Sequence, residues 1–120
     1  MIKRINNNNP DFYKYMGKIF GSRKVQRDTE DRFYDDNEKE WIVSPQKNTI
    51  LAVVSVKDSV IKNVYAEDIS VLTNVLKEIY GNVSEGIVPM IYKEAYISAG
   101  YKICEERKNF MVIKGGMSGG

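Results

Sequence analysis

The sequence predicts a single α+β domain, and three observations carry that prediction. Between Glu40 and Ala66 the chain reads as three runs rich in β-branched and aromatic residues, "EWIVSP", "TILAVVSV" and "SVIKNVYA", separated by the turn-like "QKN" and "KD". That pattern predicts a three-stranded antiparallel meander. Directly after it, "EDISVLTNVLKEIYGN" repeats its apolar residues at helical spacing. The length, 120 residues, suits one domain with a modest core.

The elements follow in order. "MIKRI" is a short first strand that ends at the asparagines. Asn9 can cap a helix, Pro10 suits its first position because the missing N–H would be unpaired there, and Asp11 favours the positive end of the helix dipole. Phe12, Met16, Ile19 and Phe20 then share one face, which is read as core. "SRKVQRDTEDR" predicts a second, strongly charged surface helix in which only Val25 is clearly apolar. After the meander, Val71, Leu72, Val75, Leu76 and Ile79 mark one face of a helix packed on the sheet. Two carboxylates stand at its front, and it closes at Gly81 and Asn82. "VSEGIVP" is a short apolar strand, and "PMIYKEAYISAG" a short helix opened by Pro89 and closed by Gly100. "YKICEERKNFMVIKG" is a hairpin turning around Arg107 to Asn109. Residues 1–114 are read as one domain and 115–120, glycine-rich, as a flexible end. No internal repeat or linker is evident.

Composition narrows the chemistry. With 18 basic and 16 acidic side chains the formal charge is +2, too near neutrality to imply a nucleic-acid or membrane partner by itself. Any such partner needs a local patch. The chain has no histidine and one cysteine, so zinc sites, histidine-based triads and an internal disulfide are not expected. The start carries no apolar stretch of signal-peptide length and no run approaches a membrane span, so a cytoplasmic protein is expected.

The element order resembles, from end to end, the fold of the GNAT acetyltransferases. The resemblance implies a mixed sheet around the central antiparallel meander, with helices on both faces. One motif strengthens it. In that family the short helix before the final hairpin often ends in a tyrosine, three residues, a glycine and an aromatic residue, and "YISAGYK" matches with Tyr96, Gly100 and Tyr101. The family tyrosine commonly protonates the departing coenzyme A thiolate as a general acid, a role that carries over to Tyr96.

The resemblance fails at the cofactor loop. GNAT enzymes usually join the fourth strand to the long helix through Arg/Gln-x-x-Gly-x-Gly/Ala, whose small residues let backbone N–H groups cradle the pyrophosphate at a helix N-terminus. Here the junction reads "VYAEDISVLTNVL", with no glycine and no arginine, and with Glu67 and Asp68 where phosphates would arrive. At an effective dielectric of about 20, each like-charge pair some 4 Å apart opposes binding by roughly 4 kcal/mol before screening. The loop is short, so the binding edge is read as closed over. Were acetyl-CoA held, backbone groups at Val64 and Tyr65 would take its pantetheine, and Ile69 and Ser70, at the start of the long helix, its phosphates.

Each candidate has a plain explanation beside the functional one. Tyr96 can be an amphipathic residue near a helix end, ring packed and hydroxyl exposed, instead of an acid. Glu67 and Asp68 suit helix capping more readily than general-base work. Arg23, Lys24 and Arg27 can meet an acidic or phosphate-bearing partner, or form a solvated face neutralised by the following "DTED". Tyr13 and Tyr15 beside them allow stacking on a partner, whereas Phe20 is read as core. "FYDDNEKE" is read as a solvated turn and not as a metal loop. Cys104, alternating with apolar neighbours, is read as a small buried hydrophobe.

Two functional readings stand. In the favoured one this is a GNAT-like scaffold without a cofactor that binds a protein or nucleic-acid partner through Tyr13, Tyr15, Arg23, Lys24 and Arg27. Small stand-alone domains of this look are frequent among phage and mobile-element proteins, and the resemblance therefore extends to a protein acting on a host factor. The alternative is an active acetyl-CoA-dependent N-acyltransferase with an atypical loop and Tyr96 as its acid.

Overall fold

In the computed structural model the chain is described throughout except at Met1, Arg32, Asn37, Asn48 and residues 118–120. The meander forms where the β-branched runs predict it: β2 (Glu40–Gln46), β3 (Thr49–Lys57) and β4 (Val60–Ala66) are successive antiparallel neighbours. Before them come β1 (Lys3–Ile5), α1 (Phe12–Phe20) and α2 (Arg23–Thr29). After them come α3 (Ile69–Ile79), β5 (Glu85–Pro89), α4 (Lys93–Ser98), β6 (Lys102–Glu106) and β7 (Phe110–Lys114). The strands join into one sheet in the order β1-β2-β3-β4-β5-β7-β6, in which β4 and β5 are parallel and the other pairs antiparallel. This is the α+β architecture expected, with a mixed sheet.

Alternation along the strands divides the core in two. Ala52 and Val54 of β3 face one side with Ile42, Ile61, Val64, Val88, Met111 and Ile113, against Leu72, Val75, Leu76 and Ile79 of α3 and Ala95 and Tyr96 of α4. Val53 faces the other with Trp41, Val43 and Tyr65, against Phe12, Met16 and Ile19 of α1 and Val25 of α2. Helices therefore cover both faces. Gly86 allows β5 to approach β4: a Cβ there would lie 3.0 Å from that of Ile61.

Several expectations need correction. Helix α1 begins at Phe12, with Asp11 as a cap that makes no side-chain hydrogen bond. The side chain of Asn9 is engaged elsewhere, accepting from the N–H of Asn6 at 2.8 Å, so the asparagines fold on themselves as a turn and Pro10 stays in it. Helix α2 is capped by Ser22, which accepts from the N–H of Val25 at 3.2 Å. Pro89 does not open α4. It ends β5, opposite Phe110, and a short 3-10 turn at Met90–Tyr92 precedes the helix.

Cys104 is exposed, not buried. Ile103 pairs with Ile113 and Glu105 with Val112, leaving Cys104 as the extra residue of a bulge, and a bulge shifts the alternation on which burial depended. Gly115–Met117, expected within a flexible end, donate hydrogen bonds to Ser84, Tyr80 and Val83 in turn, while residues 118–120 lie outside the described part. "FYDDNEKE" is more than a solvated turn: Asp35 accepts from the indole N–H of Trp41 at 3.0 Å and Asp36 from the ammonium of Lys57 at 2.8 Å.

Candidate functional site

The segment Tyr96–Lys102 first solves a backbone problem, the orphan carbonyls at the end of α4. Gly100 adopts φ +90°, its N–H donates to the carbonyl of Ile97 at 3.1 Å, and that of Tyr101 donates to the carbonyl of Tyr96 at 2.9 Å. This pair of bonds is a Schellman motif, which needs a left-handed residue at Gly100 and favours an apolar contact across the turn. The rings of Tyr96 and Tyr101 supply that contact, edge to face with centroids 5.3 Å apart. The tyrosine–glycine–aromatic spacing therefore has a complete structural explanation.

Tyr96 is nevertheless unusual. It was expected to have an exposed hydroxyl, yet the residue is 0% exposed and its hydroxyl has no hydrogen-bond partner among the described residues. Burial holds its phenol protonated well above the ordinary tyrosine range, with the neighbouring Tyr101 and Tyr92 adding to the effect. An unpaired buried hydroxyl costs about 1–3 kcal/mol. Tyr101, by contrast, donates to the carbonyl of Leu76 at 2.7 Å.

Four residues before Tyr96 lies a residue that sequence reasoning missed. Strands β4 and β5 pair only at Val60–Ile61 with Glu85–Gly86, then part. Beyond the last pair, the hydroxyl of Tyr92 accepts from the N–H of Ala66 at 3.1 Å. Tyr92 is buried, and the desolvation pushes its phenol up to about 12. It thus satisfies a β4 backbone donor beyond the pairing with β5. The available signal was its spacing: Tyr92 and Tyr96 are four apart, the separation that aligns two side chains on one helical face.

At the β4–α3 junction the internal pairing is nearly complete. Ser44 pairs with Ala52 but Pro45 with Ile50, so Leu51 is an extra residue in β3. Its carbonyl accepts from the N–H groups of both Glu67 and Asp68, at 2.9 and 3.2 Å. The Asp68 carboxylate accepts from the N–H groups of Ser70 and Val71, at 3.0 and 3.3 Å, and from the Ser70 hydroxyl at 2.6 Å. These hydrogen bonds, that of Ser70 first, hold the Asp68 carboxyl below the usual range. Val64 is packed under α3. Tyr65 faces the opposite core. Ile69 is exposed. The N–H groups of Glu67, Asp68, Ser70 and Val71 thus already have acceptors, and a carboxylate stands at the helix end.

The capping geometry makes a direct prediction. Asp68→Ala should cost about 1 kcal/mol, within the 0.5–2 kcal/mol typical of lost N-caps, measured by urea denaturation at neutral pH. A change near zero would mean that Asp68 does not hold the helix end.

On the other face, α1 and α2 carry the residues read as a partner surface. Tyr13 is exposed. Tyr15 is half-buried, its hydroxyl accepting from the Lys3 ammonium at 3.0 Å. Lys24 donates to the hydroxyl of Tyr65 at 3.0 Å and lies 3.6 Å from the Glu67 carboxylate and 4.0 Å from that of Asp28. Arg27 also meets Asp28, at 3.8 Å. Two of the three predicted cations are thus partly neutralised, and Lys24 ties α2 to the β4–α3 junction.

No family model and no curated protein matches the chain. Solved structures do so over nearly its whole length. The N-acetyltransferase from Staphylococcus aureus Mu50 aligns with a TM-score of 0.54 at 15% identity, covering 95% of this chain and 93% of that one. The N-acetyltransferase PseH of Campylobacter jejuni, solved in complex with acetyl coenzyme A, aligns with a TM-score of 0.50 at 15% identity, covering 94% and 96%. The chain has the GNAT fold; at this identity the likeness is one of fold. Among the described residues no helix is long and apolar enough to cross a membrane, and no cluster of three or more histidine, cysteine or carboxylate side chains could hold a metal.

Proposed function

We propose that this GNAT-fold protein does not use acetyl-CoA and acts by binding a protein or nucleic-acid partner through the α1–α2 side. The observation that carries the reading is the β4–α3 junction, where the Leu51 carbonyl and the Asp68 carboxylate hold the N–H groups of Glu67, Asp68, Ser70 and Val71. Binding a pyrophosphate there would require breaking those bonds and placing two negative groups together. Tyr92 adds to this by engaging the Ala66 N–H. On the α1–α2 side, exposed Tyr13 stands on α1 and Arg23 on α2, a combination suited to an acidic or phosphate-bearing surface.

Calorimetric titration and thermal shift with acetyl-CoA test the reading. No heat and no shift are expected at concentrations that saturate ordinary acetyltransferases. A ligand at a hundredfold excess over its Kd would stabilise the protein by about 2.7 kcal/mol, an effect such assays detect readily. A clear upward shift would overturn the proposal.

One observation favours a second reading, an active N-acyltransferase: the buried, unpartnered hydroxyl of Tyr96, a protonated phenol able to act as an acid. Under that reading Tyr96→Phe binds acetyl-CoA normally but loses turnover.

A further inference from the structure

We infer that two copies of this chain associate face to face through the bare half of the sheet, strands β5, β7 and β6, about a two-fold axis running along β7. On the face that carries α1 and α2, the core draws on β1 to β4 and on no residue of β5, β6 or β7. Those three strands are covered on their other face, where Val88, Met111 and Ile113 pack with α3 and α4 and Ile103 lies beside them. Alternation then turns Ile87 of β5 and Phe110 and Val112 of β7 to the uncovered side. Ile87 is 56% exposed and the two β7 residues are half-buried, so among the described residues a row of apolar side chains meets solvent. The helix layer stops at β4, and the bare strands form the floor of a step roughly 10 Å deep, the thickness of a helix.

Charge selects the occupant. The register sets Glu85 opposite Lys114 and Lys114 opposite Lys102, with Glu105 opposite Val112. Paired residues share a face, so two carboxylates and two ammonium groups edge the apolar row. Their charges cancel, which does not suit a polyanion. Among the described residues Glu85 and Lys102 take part in no hydrogen bond or ion pair. They stand in one cross-strand row, on the strands either side of β7. A copy turned about β7 brings its Lys102 over Glu85 and its Glu85 over Lys102, two ion pairs from one self-complementary patch, and lays the Phe110 and Val112 side chains of both copies together. Ile87 then rests on the methylene stem of Glu105 in the other copy, whose carboxylate is drawn to Arg107 at 3.2 Å. Lys114 meets its own counterpart, each beside a Glu85 that offsets the repulsion. Pairing β6 edge to edge is the poorer arrangement, because the bulge at Cys104 interrupts the ladder a neighbouring strand needs. Three short strands make a small interface beside the ~800 Å² per partner of stable complexes, so the dimer is weak and its population depends on concentration.

Sedimentation equilibrium of the full chain, from micromolar to near-millimolar concentration, tests this. The mean mass should rise toward that of a dimer. Ile87→Lys should weaken association by about a hundredfold or more, because each copy loses a buried apolar side chain, and should leave the melting temperature of the dilute protein unchanged. Glu85→Lys alone and Lys102→Glu alone should each weaken it by about tenfold, since each sets like charges against each other across the axis. Mixing these two variants should restore association, because each then offers the charge the other lacks, whereas a defect confined to one chain's own fold does not recover on mixing. A wild type that stays monomeric throughout, a dimer indifferent to Ile87→Lys, or charge variants that fail to recover when mixed overturns the inference. The outcome is independent of acetyl-CoA and of the partner-binding residues on α1 and α2.

Discussion

Asn63→Ala is expected to destabilise the protein by about 1.5–3 kcal/mol, the range for losing a buried hydrogen bond to a charged group. Asn63 is buried in β4 and serves three groups: its carbonyl oxygen accepts from the Lys39 ammonium at 3.0 Å and from the Ser55 hydroxyl at 2.7 Å, and its amide donates to Asp31 at 2.8 Å. Lys39 is only 4% exposed. Among the described residues its ammonium has one further acceptor, the Tyr34 carbonyl at 2.9 Å, and it rests 4.0 Å from the Tyr34 ring centroid. Burial already lowers its pKa. Loss of Asn63 removes an acceptor that desolvation has made indispensable, and a domain with a total stability of about 5–15 kcal/mol feels that strongly. Lys39→Met should by contrast change stability little, since an apolar side chain of similar volume replaces the charge. Combining it with Asn63→Ala should recover much of the loss. Urea denaturation of the four proteins settles the matter: an Asn63→Ala cost below about 1 kcal/mol, or additive effects in the double variant, would remove the network from any role in stability.

The second large effect is expected at alkaline pH. Tyr92, Tyr96 and Tyr101 are buried, and desolvation raises the pKa of each, that of Tyr92 to about 12 and those of Tyr96 and Tyr101 further. In the unfolded chain each titrates near 10. Above that pH the unfolded state has released protons that the folded state retains, so stability falls as pH rises. The contribution is intact below pH 10 and is lost progressively toward the folded-state values. A tenfold weaker acidity in the folded state corresponds to about 1.4 kcal/mol per group, so the three together should cost several kcal/mol by pH 12. Melting temperatures across this range should drop steeply, and a fraction of the phenolate absorbance should appear only with unfolding. Tyr92→Phe should flatten the slope while costing about 1 kcal/mol at neutral pH, because the Ala66 N–H loses its acceptor. A flat stability profile up to pH 12 would contradict the burial of these phenols.

Legibility in the sequence followed the range of the interaction. The meander, α3 and the Gly100 terminus were readable because period, capping and left-handed backbone are properties of a few consecutive residues. Asp68 was readable for the same reason, since a cap reaches only two or three residues ahead. The start of α1 was misplaced because Asn6 and Asn9 hydrogen-bond each other. That contest between asparagine side chains is too even for local propensity to decide. Cys104 was misplaced by a bulge, which depends on the register of the neighbouring strand.

The candidate site divides in the same way. Tyr96 stood out by its spacing from Gly100, but the burial of its hydroxyl depends on α3 and on Tyr101, brought against it by the fold. Tyr92 carried no distinguishing neighbour, and its bond to Ala66 spans 26 residues. The link from Lys24 to Glu67 likewise joins distant segments. The sequence by itself determined the order and type of the elements and the absence of a glycine-rich loop at the long helix. Only the tertiary structure decided that the Leu51 carbonyl and the Tyr92 hydroxyl would take up the backbone donors of that edge, because unpaired N–H groups are satisfied by whichever acceptor the packing of distant strands brings within reach.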